Sequence, residues 1–542
     1  MSSKTMRGAD WLLSGLTEAG VKTIFSLSGN QIMPVYDAAL DAEVRLIHTR
    51  HEGAAVYMAE AAAQMTGDVG VALLTAGPGF ANALSAMYTA RESETAIVVL
   101  SGDSPRARDR HGAFQELDQC AAAAPMVKAS FRARAGVELK NDIQRAIALA
   151  KHGRPGPVHL ALPDDVLRQT GEQSGESCVT ETAHLAPLSA EQITTISEAF
   201  QSAERPMIVL GPDFCRSSAK AAVAATSKEL NVPCIAFESP RGLRAPRLGA
   251  FAEVLGESDL IIAIGKPLNF MVGFGDDAIL HSSCRIIQID PDDAVLSLDH
   301  ERLGSRLALQ VKSDAQGSLT AIREALSTHS TNGWVEVVEA AISYRPPSWN
   351  EDAANSSTIG PVQFAKAVAP WVSKSPDASF IVDGGEIGQW CQAILDADRA
   401  MINGPSGAIG GSIPYAIGAK AVRPEQPAIT IMGDGTAGFY LAEFETAVRE
   451  NTPLVAIIGN DAKWNAEHQI QIREFGADRT HSCELTAARY DRVAAELGGH
   501  GEFVTSHAEL GPALERAFAA NKPACVNVMI EGEAAPTIKR AD

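Results

Sequence analysis

The sequence has no cysteines spaced closely enough for a zinc site or a redox motif. Its cysteines are scattered and form no CxxC; there are eight, at positions 120, 178, 215, 234, 284, 391, 483 and 525. A disulfide framework and a structural zinc site both need regularly spaced cysteines. The pattern therefore favours reduced thiols and predicts a cytoplasmic protein.

Long apolar runs and an excess of positive charge are also missing. The N-terminal segment MSSKTMRGADWLLSG has no apolar core of signal-peptide length, and no run approaches the roughly 20 residues that span a membrane. Lys and Arg number 46 against 66 Asp and Glu, which gives a net charge of -20. Nucleic-acid binding needs a positive surface, so neither nucleic acid nor a membrane is expected as a partner.

What the chain does contain is a repeated alternation of short apolar runs and helical patterns, which predicts parallel α/β domains. Its 542 residues suffice for about three domains. Two polar segments rich in Gly, Ser, Pro or Asn predict linkers at 171–187 and 341–358. They divide the chain into a first domain (1–170), a middle domain (188–340), a last domain (359–530) and a mobile tail (531–542). The first and last domains share one rhythm, as expected for two copies of one fold.

Residues 427–465 form the most informative stretch. Apolar runs at 428–432 and 454–458 predict buried strands, and a helical repeat from Phe439 to about residue 452 joins them. A crossover of this kind is right-handed and its strands are parallel, so both strands end at one edge of the sheet. Asp434 follows the first strand and Asp461 the second. The two carboxylates are therefore expected close together, beside a helix N-terminus.

Two carboxylates beside backbone N–H groups suit a cation and a phosphate together. Mg²⁺ prefers oxygen ligands and keeps contacts to bound phosphates. A helix N-terminus favours an anion, and glycines let the backbone approach it. The stretch predicts a Mg²⁺-bridged diphosphate, held by Gly433, Asp434, Gly435, Thr436 and Asp461.

This stretch resembles the thiamine-diphosphate motif, in which Gly-Asp-Gly is followed by a helix and a strand ending in Asn-Asn. The resemblance extends over nearly the whole chain, to the acetolactate synthase, benzaldehyde lyase and 2-hydroxyacyl-CoA lyase branch of that family. It implies thiamine diphosphate and Mg²⁺ as cofactors, with Asp434, Asp461 and the backbone oxygen of Lys463 as metal ligands. The second Asn of the usual pair is Asp461 here, which adds a negative charge. Asn460 is the alternative ligand if the loop shifts by one residue.

Two residues of the first domain gain a catalytic role from the resemblance. Glu52, in RHEGAA, matches a Glu that contacts the aminopyrimidine ring and favours its imino tautomer, whose nitrogen removes the C2 proton. That role needs a carboxyl in a low-dielectric pocket, whereas composition alone suggests only an acid in a first helical turn. Many relatives have Gln at the next position, where this chain has Gly53. Gln115, in GAFQELDQ, matches a Gln that points toward the reactive centre.

The resemblance also implies the remaining contacts. Ile409 matches a bulky apolar residue that props the cofactor into a V shape. For residues 28–31, an ordinary polar turn explains the sequence as well as a role in the site does. A loop histidine such as His468 is more often solvated than an acid or base. The further cofactor contacts expected are Gly29, Asn30, Gly384 and Glu386, and the substrate candidates are Asn30, Gln31, Phe114, Trp464 and His468.

The middle domain gives no clear sign of a ligand. It has no GxGxxG fingerprint and no clear basic cluster for a CoA phosphate. The four basic residues that come nearest to such a cluster are interpreted as a solvated face; they are Arg241, Arg244, Arg247 and Lys266. In relatives this domain binds FAD, a nucleotide or CoA, or nothing. FAD and CoA are therefore compatible with the family but unsupported, and no ligand is expected.

The implied activity is that of a carbon–carbon lyase or carboligase acting on a 2-keto acid, like acetolactate synthase, through a C2 carbanion and an enamine. GFYLAEF (438–444) resembles benzaldehyde lyase and GKPLNFMVGFG (265–275) resembles 2-hydroxyacyl-CoA lyases, so cleavage of a 2-hydroxy carbonyl compound is the alternative. A catalytically silent cofactor-binding regulator is an alternative of another class, motivated by Gly53 and Asp461. The family implies a homodimer or homotetramer with the active site at the subunit interface.

Overall fold

The computed structural model describes residues 6–172, 185–330, 333–350 and 358–540. Most of the predicted linker 171–187 and the central part of the predicted linker 341–358 lie outside these ranges. Among the described residues, no helix is both long and apolar enough to cross a membrane.

The first domain is built on six parallel strands, in the order β3-β2-β4-β5-β7-β6. Its central strands are apolar and buried on both faces, as strands covered by helices on both sides must be. A small antiparallel pair, β1 with β8, ties its two ends together. The strands are β1 Met6–Arg7, β2 Thr23–Ser26, β3 Arg45–His48, β4 Gly70–Leu74, β5 Ile97–Asp103, β6 Ala129–Arg132, β7 Pro157–Pro163 and β8 Thr170–Gly171; the helices are α1 Gly8–Glu18, α2 Met33–Asp41, α3 Glu52–Thr66, α4 Pro78–Ala81, α5 Leu84–Glu92, α6 Gln119–Ala123, α7 Leu139–Lys151 and α8 Asp164–Arg168.

The middle domain has five parallel strands in the order β10-β9-β11-β12-β13. Strand β10 is added on one side of β9 and the later strands on the other, so the strand order reverses between β9 and β11. Its last helix extends past the predicted start of the linker at 341. The strands are β9 Pro206–Leu210, β10 Cys234–Ala236, β11 Leu260–Ile264, β12 Arg285–Asp290 and β13 Leu307–Lys312; the helices are α9 Ala190–Ser202, α10 Ser217–Leu230, α11 Asp293–Leu303, α12 Ala315–Ala325 and α13 Trp334–Ser343.

The last domain repeats the first sheet position for position, in the order β15-β14-β16-β17-β19-β18. The prediction of three parallel α/β domains is confirmed. The strands are β14 Ser379–Val382, β15 Ala400–Ile402, β16 Ala428–Gly433, β17 Val455–Asn460, β18 His500–Val504 and β19 Ala524–Met529; the helices are α14 Pro361–Ser373, α15 Glu386–Ile394, α16 Ser412–Val422, α17 Asp434–Ala437, α18 Glu443–Arg449, α19 Asn465–Phe475, α20 Tyr490–Glu496 and α21 His507–Ala519.

The segment between β16 and β17 differs from the single helix predicted from Phe439 onward. It forms two short helices, α17 and α18, separated by a turn at 438–442. Phe439 is 53% exposed and lies in that turn, so its place in the apparent helical repeat was misleading. The turn projects Tyr440 toward the first domain.

The first and last domains of one chain share a hydrophobic core, in which α3 packs on α16. Helix α3 is rich in alanine, and a Cβ added to Gly418 of α16 would lie less than 3.0 Å from the backbone of Met58. Small residues on both helices therefore allow close backbone approach. This contact fixes how the carboxyl edges of the two duplicated sheets are placed in one chain.

Candidate active site

Asp434 and Asp461 lie at the carboxyl ends of neighbouring parallel strands, as predicted. Gly433 of β16 pairs with Gly459 of β17, so the residues after each strand reach the same edge of the sheet. Asp434 opens α17 and is 1% exposed. Both carboxylates line one cleft of about 80 Å³.

The electrostatics of this pair fit a divalent cation. Burial, and then the charge of Asp461, raise the pKa of Asp434 to about 7. Burial also raises the pKa of Asp461. The Oδ2 atom of Asp434 is buried and has no hydrogen-bond partner among the residues that the structure describes. A Mg²⁺ ion between the carboxylates would give this oxygen a partner and offset the repulsion, so the donor set fits the metal.

The geometry favours Asp461 over Asn460 as the second ligand. The Asn460 amide donates to Asn527 Oδ1 at 3.1 Å and to the Ala488 carbonyl at 3.2 Å, while its Oδ1 accepts from Ala462 N at 3.1 Å. Asn460 is thus fully engaged inside the domain. Asp461 lines the cleft, with its Oδ1 accepting from Lys463 N at 3.1 Å. Lys463 lines the same cleft, so its carbonyl oxygen stays the predicted third ligand.

The cleft walls bring together most of the residues predicted on the diphosphate side. Trp464 closes one side, because a Cβ added to Gly435 would lie 2.7 Å from its indole ring. His468 lies one turn further along α19, outside the cleft walls, and its Nδ1 is buried without a partner among the described residues. The predicted residues that line the cleft are Glu386, Ile409, Gly433, Asp434, Gly435, Thr436, Asp461, Lys463 and Trp464.

Sequence reasoning missed Asp383, which holds two loops of the cleft together. Its carboxylate accepts from the backbone N–H groups of Gly384 at 2.6 Å, Gly410 at 3.1 Å and Ser412 at 3.0 Å. Gly384 packs so closely on Ile409 that an added Cβ would lie less than 3.0 Å from that side chain. The available signal was a carboxylate at the end of β14, on the same sheet edge as Asp434.

Glu386 is 7% exposed, and burial raises its pKa. Arg241 of the middle domain pairs with it at 3.1 Å and offsets a negative charge that would otherwise repel a diphosphate. The interpretation of the middle-domain cations as a solvated face is wrong for Lys266. Lys266 is fully buried and donates to Asn269 Oδ1 at 2.8 Å, and burial lowers its pKa to about 7.

Glu52 occupies a different, equally buried position in the first domain. It is the first residue of α3, whose N-terminus is capped by His51 through Gly53 N at 3.0 Å. The Glu52 side chain is 8% exposed, and Asn82 donates to its Oε2 at 3.0 Å. Gly79 lies against the other oxygen, since an added Cβ would lie 3.0 Å from Oε1. The Asn82 amide and the close approach of Gly79 therefore orient this carboxyl in a buried position.

The structure explains why Gly53 follows Glu52. A Cβ at Gly53 would lie less than 3.0 Å from the hydroxyl oxygen of Tyr440, which comes from the last domain of the same chain. The Tyr440 ring also contacts His51 edge-to-face, with 5.3 Å between centroids. Burial, then the charges of Glu443 and Glu52, raise the pKa of Tyr440 to about 12. Tyr440 thus fills the space that a longer side chain at 53 would need.

The predicted glutamines meet beside Gly29. Gln31 donates to Gln115 Oε1 at 2.8 Å and accepts from Thr75 Oγ1 at 3.0 Å. Gln31 is buried, and Gln115 has a left-handed φ of 60°, a strained conformation for a residue with a side chain. Their neighbours Asn30 and Phe114 are exposed, Phe114 by 72%.

The cleft around Asp434 contains only one half of the candidate site. Every residue that lines the cleft around Asp434 belongs to the last domain. Glu52, Gln31 and Gln115 all belong to the first domain, and none of them lines this cleft.

Comparison with known proteins shows which family the chain is related to. Models of the thiamine pyrophosphate enzyme match in three parts: the N-terminal TPP binding domain at residues 6–122, the central domain at 193–322 and the C-terminal TPP binding domain at 383–528. A probable acetolactate synthase of Mycobacterium bovis is 30% identical over 543 residues, which cover 98% of this chain and 96% of that protein. The chain belongs to the thiamine pyrophosphate enzyme family.

Other members of the thiamine pyrophosphate enzyme family catalyse different reactions. Human 2-hydroxyacyl-CoA lyase 2 is 28% identical over 545 residues, covering 91% of this chain and 84% of the lyase. A thiamine diphosphate-dependent 4-hydroxybenzoylformate decarboxylase of Rhodococcus jostii RHA1 has the same fold, with a TM-score of 0.82, 21% identity and coverage of 97% of this chain and 100% of that one. Every predicted site residue falls within the N-terminal or C-terminal TPP binding domain.

Proposed function

We propose that this chain is a thiamine-diphosphate- and Mg²⁺-dependent carbon–carbon lyase or carboligase that acts on a 2-keto acid, like acetolactate synthase. The observation that carries the proposal is the buried Asp434 beside the partly buried Asp461, with an Asp434 oxygen that has no partner among the described residues, together with a buried Glu52 in the duplicate domain. The acetolactate synthase relative at 30% identity supports the choice of substrate.

On the diphosphate side, the chain would bind the cofactor and set its shape. Asp434 and Asp461 would hold Mg²⁺, and through it the diphosphate, while the start of α17 offers backbone N–H groups to the anion. Ile409, fixed by the Asp383 loop contacts, would give the steric wall that bends the cofactor. When bound, thiamine diphosphate supplies a nucleophilic carbon at C2 and an electron sink.

On the pyrimidine side, the chain holds a proton. The Glu52 carboxyl would face the aminopyrimidine, with Asn82 fixing Oε2 and the apolar surroundings excluding water. The Gln31–Gln115 pair would place amide groups beside the reactive centre and orient a substrate carbonyl. Gln31 and Glu52 follow β2 and β3 at strand-to-helix junctions, where α/β enzymes build their sites.

We also propose that two copies of the chain complete each active site, in a cytoplasmic homodimer or homotetramer. Within each chain, the predicted linkers would divide the domains. Large apolar side chains are exposed close to the candidate residues, among them Phe114 at 72% and Phe439 at 53%. Exposed apolar surface beside a half-site is typical of a subunit contact. Mixing inactive Glu52→Gln and Asp434→Asn chains tests this. Random pairing would restore about a quarter of wild-type activity if each site takes one half from each chain, and none if one chain holds a whole site.

A specific observation favours an acyl-CoA lyase as the second candidate. A cleft of about 620 Å³ between the middle domain and the C-terminal tail is lined by four cationic side chains, those of Arg241, Arg244, Arg473 and Lys539. It adjoins the cofactor cleft through the Arg241–Glu386 pair. In a chain of net charge -20, such a cleft attracts an anionic substrate. The benzaldehyde lyase-like alternative, on a neutral substrate, needs no such cations.

An activity screen decides among these functions. Protein loaded with thiamine diphosphate and Mg²⁺ is given pyruvate, benzoylformate, benzoin and a 2-hydroxyacyl-CoA, and products are identified by mass. Acetolactate from pyruvate supports the proposal, whereas cleavage of benzoin or the acyl-CoA with pyruvate untouched supports a lyase. A protein that binds the cofactor without accelerating exchange of its C2 proton would be the silent regulator instead.

A further inference from the structure

The carboxyl edge of the middle sheet has the form of a nucleotide site. Doubly wound sheets bind ligands where the strand order reverses, which here is between β9 and β11. Gly211 follows β9 and Gly265 follows β11, and a Cβ added to Gly211 would lie less than 3.0 Å from the Gly265 carbonyl oxygen. The two strand ends therefore approach closely, as they do where a backbone must come near a phosphate.

A carboxylate from the first domain already occupies this point. Glu94, on the turn after α5, is 7% exposed, and its Oε2 accepts from the backbone N–H of Asp213 at 3.2 Å. The same oxygen lies 3.1 Å from where a Cβ on Gly211 would stand. Glu94 has a left-handed φ of 51°, a strained conformation that persists only where its surroundings fix it.

Arg154 binds this carboxylate and closes a charge cluster. Its guanidinium donates to Glu94 Oε1, to the Gly265 carbonyl at 3.1 Å and to Asp290 Oδ2 at 2.6 Å. Asp290 ends β12 and is fully buried. Arg154 thus faces two carboxylates, and the buried Lys266 is a second cation close to them. An added phosphate would have to compete with Glu94 and Asp290 for these cations in a poorly hydrated place.

The cluster also divides the crevice. A cleft of about 1150 Å³ and another of about 210 Å³ both have Glu94 and Arg154 in their walls. The larger cleft is of a size that takes organic ligands. An extended nucleotide lying along the sheet edge would have to pass through the Glu94–Arg154 contact.

We propose that Glu94 is an internal substitute for the phosphate of a nucleotide, and that it keeps the crevice between β9 and β11 free of FAD, ADP and the nucleotide part of CoA. The carboxylate takes the backbone N–H and the arginine that a phosphate would use. This role is independent of the proposed reaction.

The first test uses the wild-type protein. The enzyme is loaded with thiamine diphosphate and Mg²⁺, so that the diphosphate cleft is filled, and is then titrated with FAD and with ADP by calorimetry. We expect no saturable binding up to about 1 mM. Binding of either compound with a Kd below about 10 μM at a site that contains Arg154 would overturn the proposal.

The second test removes the Glu94 carboxylate from the crevice. In Glu94→Ala, inorganic phosphate should raise the melting temperature and ADP should bind at least about tenfold more tightly than to wild type. Glu94→Gln, which keeps the side-chain shape, should show a smaller rise in melting temperature and a smaller gain in ADP affinity than Glu94→Ala. Glu92→Ala is the matched control, because Glu92 ends α5 two residues before Glu94 and lines the same large cleft. An equal response to phosphate in wild type, Glu92→Ala and Glu94→Ala would overturn the proposal. These readouts do not depend on activity, so failure of the proposed reaction would leave them unchanged.

Discussion

Replacing Gly53 by alanine tests whether Tyr440 fills the space beside Glu52. The added methyl carbon would lie less than 3.0 Å from the Tyr440 hydroxyl oxygen, whereas ordinary contacts begin at 3.4 Å. Tyr440 cannot swing away freely, because its ring packs edge-to-face on His51 and on Tyr57, with centroids 5.3 and 5.8 Å apart. Overpacking of this kind costs about 1–3 kcal/mol of stability. Since His51 caps the helix that carries Glu52, the shift should also slow proton exchange at the cofactor.

The control is Gly511→Ala, within α21, where an added Cβ meets nothing within 4 Å. Both substitutions gain up to about 1 kcal/mol of helix propensity, so the difference between them in urea unfolding isolates the steric cost. Adding Tyr440→Phe removes the hydroxyl, and the double-mutant cycle should return a coupling of about 1 kcal/mol or more. Equal stability of the two alanine variants, with no coupling to Tyr440, would refute the idea that the hydroxyl selects glycine at 53.

Further predictions test the two halves of the site. Glu52→Gln should lower C2 proton exchange by about 10²-fold or more, because the carboxyl proton is lost, while calorimetry finds unchanged cofactor affinity. Asp461→Asn removes a charge that helps raise the pKa of Asp434 to about 7, so the pH at which Mg²⁺ binding rises should move downward in calorimetric titrations. In metal-free protein the folded state binds the Asp434 proton more tightly than the unfolded chain does; this stabilisation is present at low pH and is lost as the pH rises from about 4 toward 7, which urea unfolding at several pH values would detect. Asp383→Ala strands three backbone N–H groups, which should cost about 1–3 kcal/mol and lower kcat through a loosened Ile409. Unchanged exchange, an unmoved pH profile, a flat stability profile or unaltered kinetics would each contradict the corresponding assignment.

The strands that could be predicted from the sequence were mainly the central ones. Continuous apolar runs such as 96–100 and 454–458 mark strands buried on both faces, and these appear as β5 and β17. Six strands were missed. Four of them, β6, β13, β15 and β18, lie at the edges of the three large sheets, and the other two, β1 and β8, form the small antiparallel pair. Residues of β6 are all only partly buried, and β18 begins with a histidine and a glycine. An edge strand packs on one side only, so its sequence carries too weak an apolar pattern to stand out.

The contacts of the candidate site also fall into those that could be predicted from the sequence and those that could not. The meeting of Asp434 and Asp461 could be predicted, because parallel neighbouring strands fix where their ends lie. The partners of Glu52 could not be predicted, because Asn82 reaches it from the turn between α4 and α5 and Tyr440 from another domain. Such contacts depend on how α3 packs on α16. No local pattern in the sequence records that packing.

The duplication of the fold suggests why the proposed site needs two chains. In both copies the candidate residues follow the carboxyl ends of strands: Gln31 and Glu52 follow β2 and β3, and Asp434 and Asp461 follow β16 and β17. Packing of α3 on α16 joins the copies through a shared core, and the cleft at one edge is lined only by residues of its own domain. A two-fold axis that brings a second chain against these edges would pair each first-domain edge with a last-domain edge, and it would do so twice. One self-complementary contact would then build two equivalent sites.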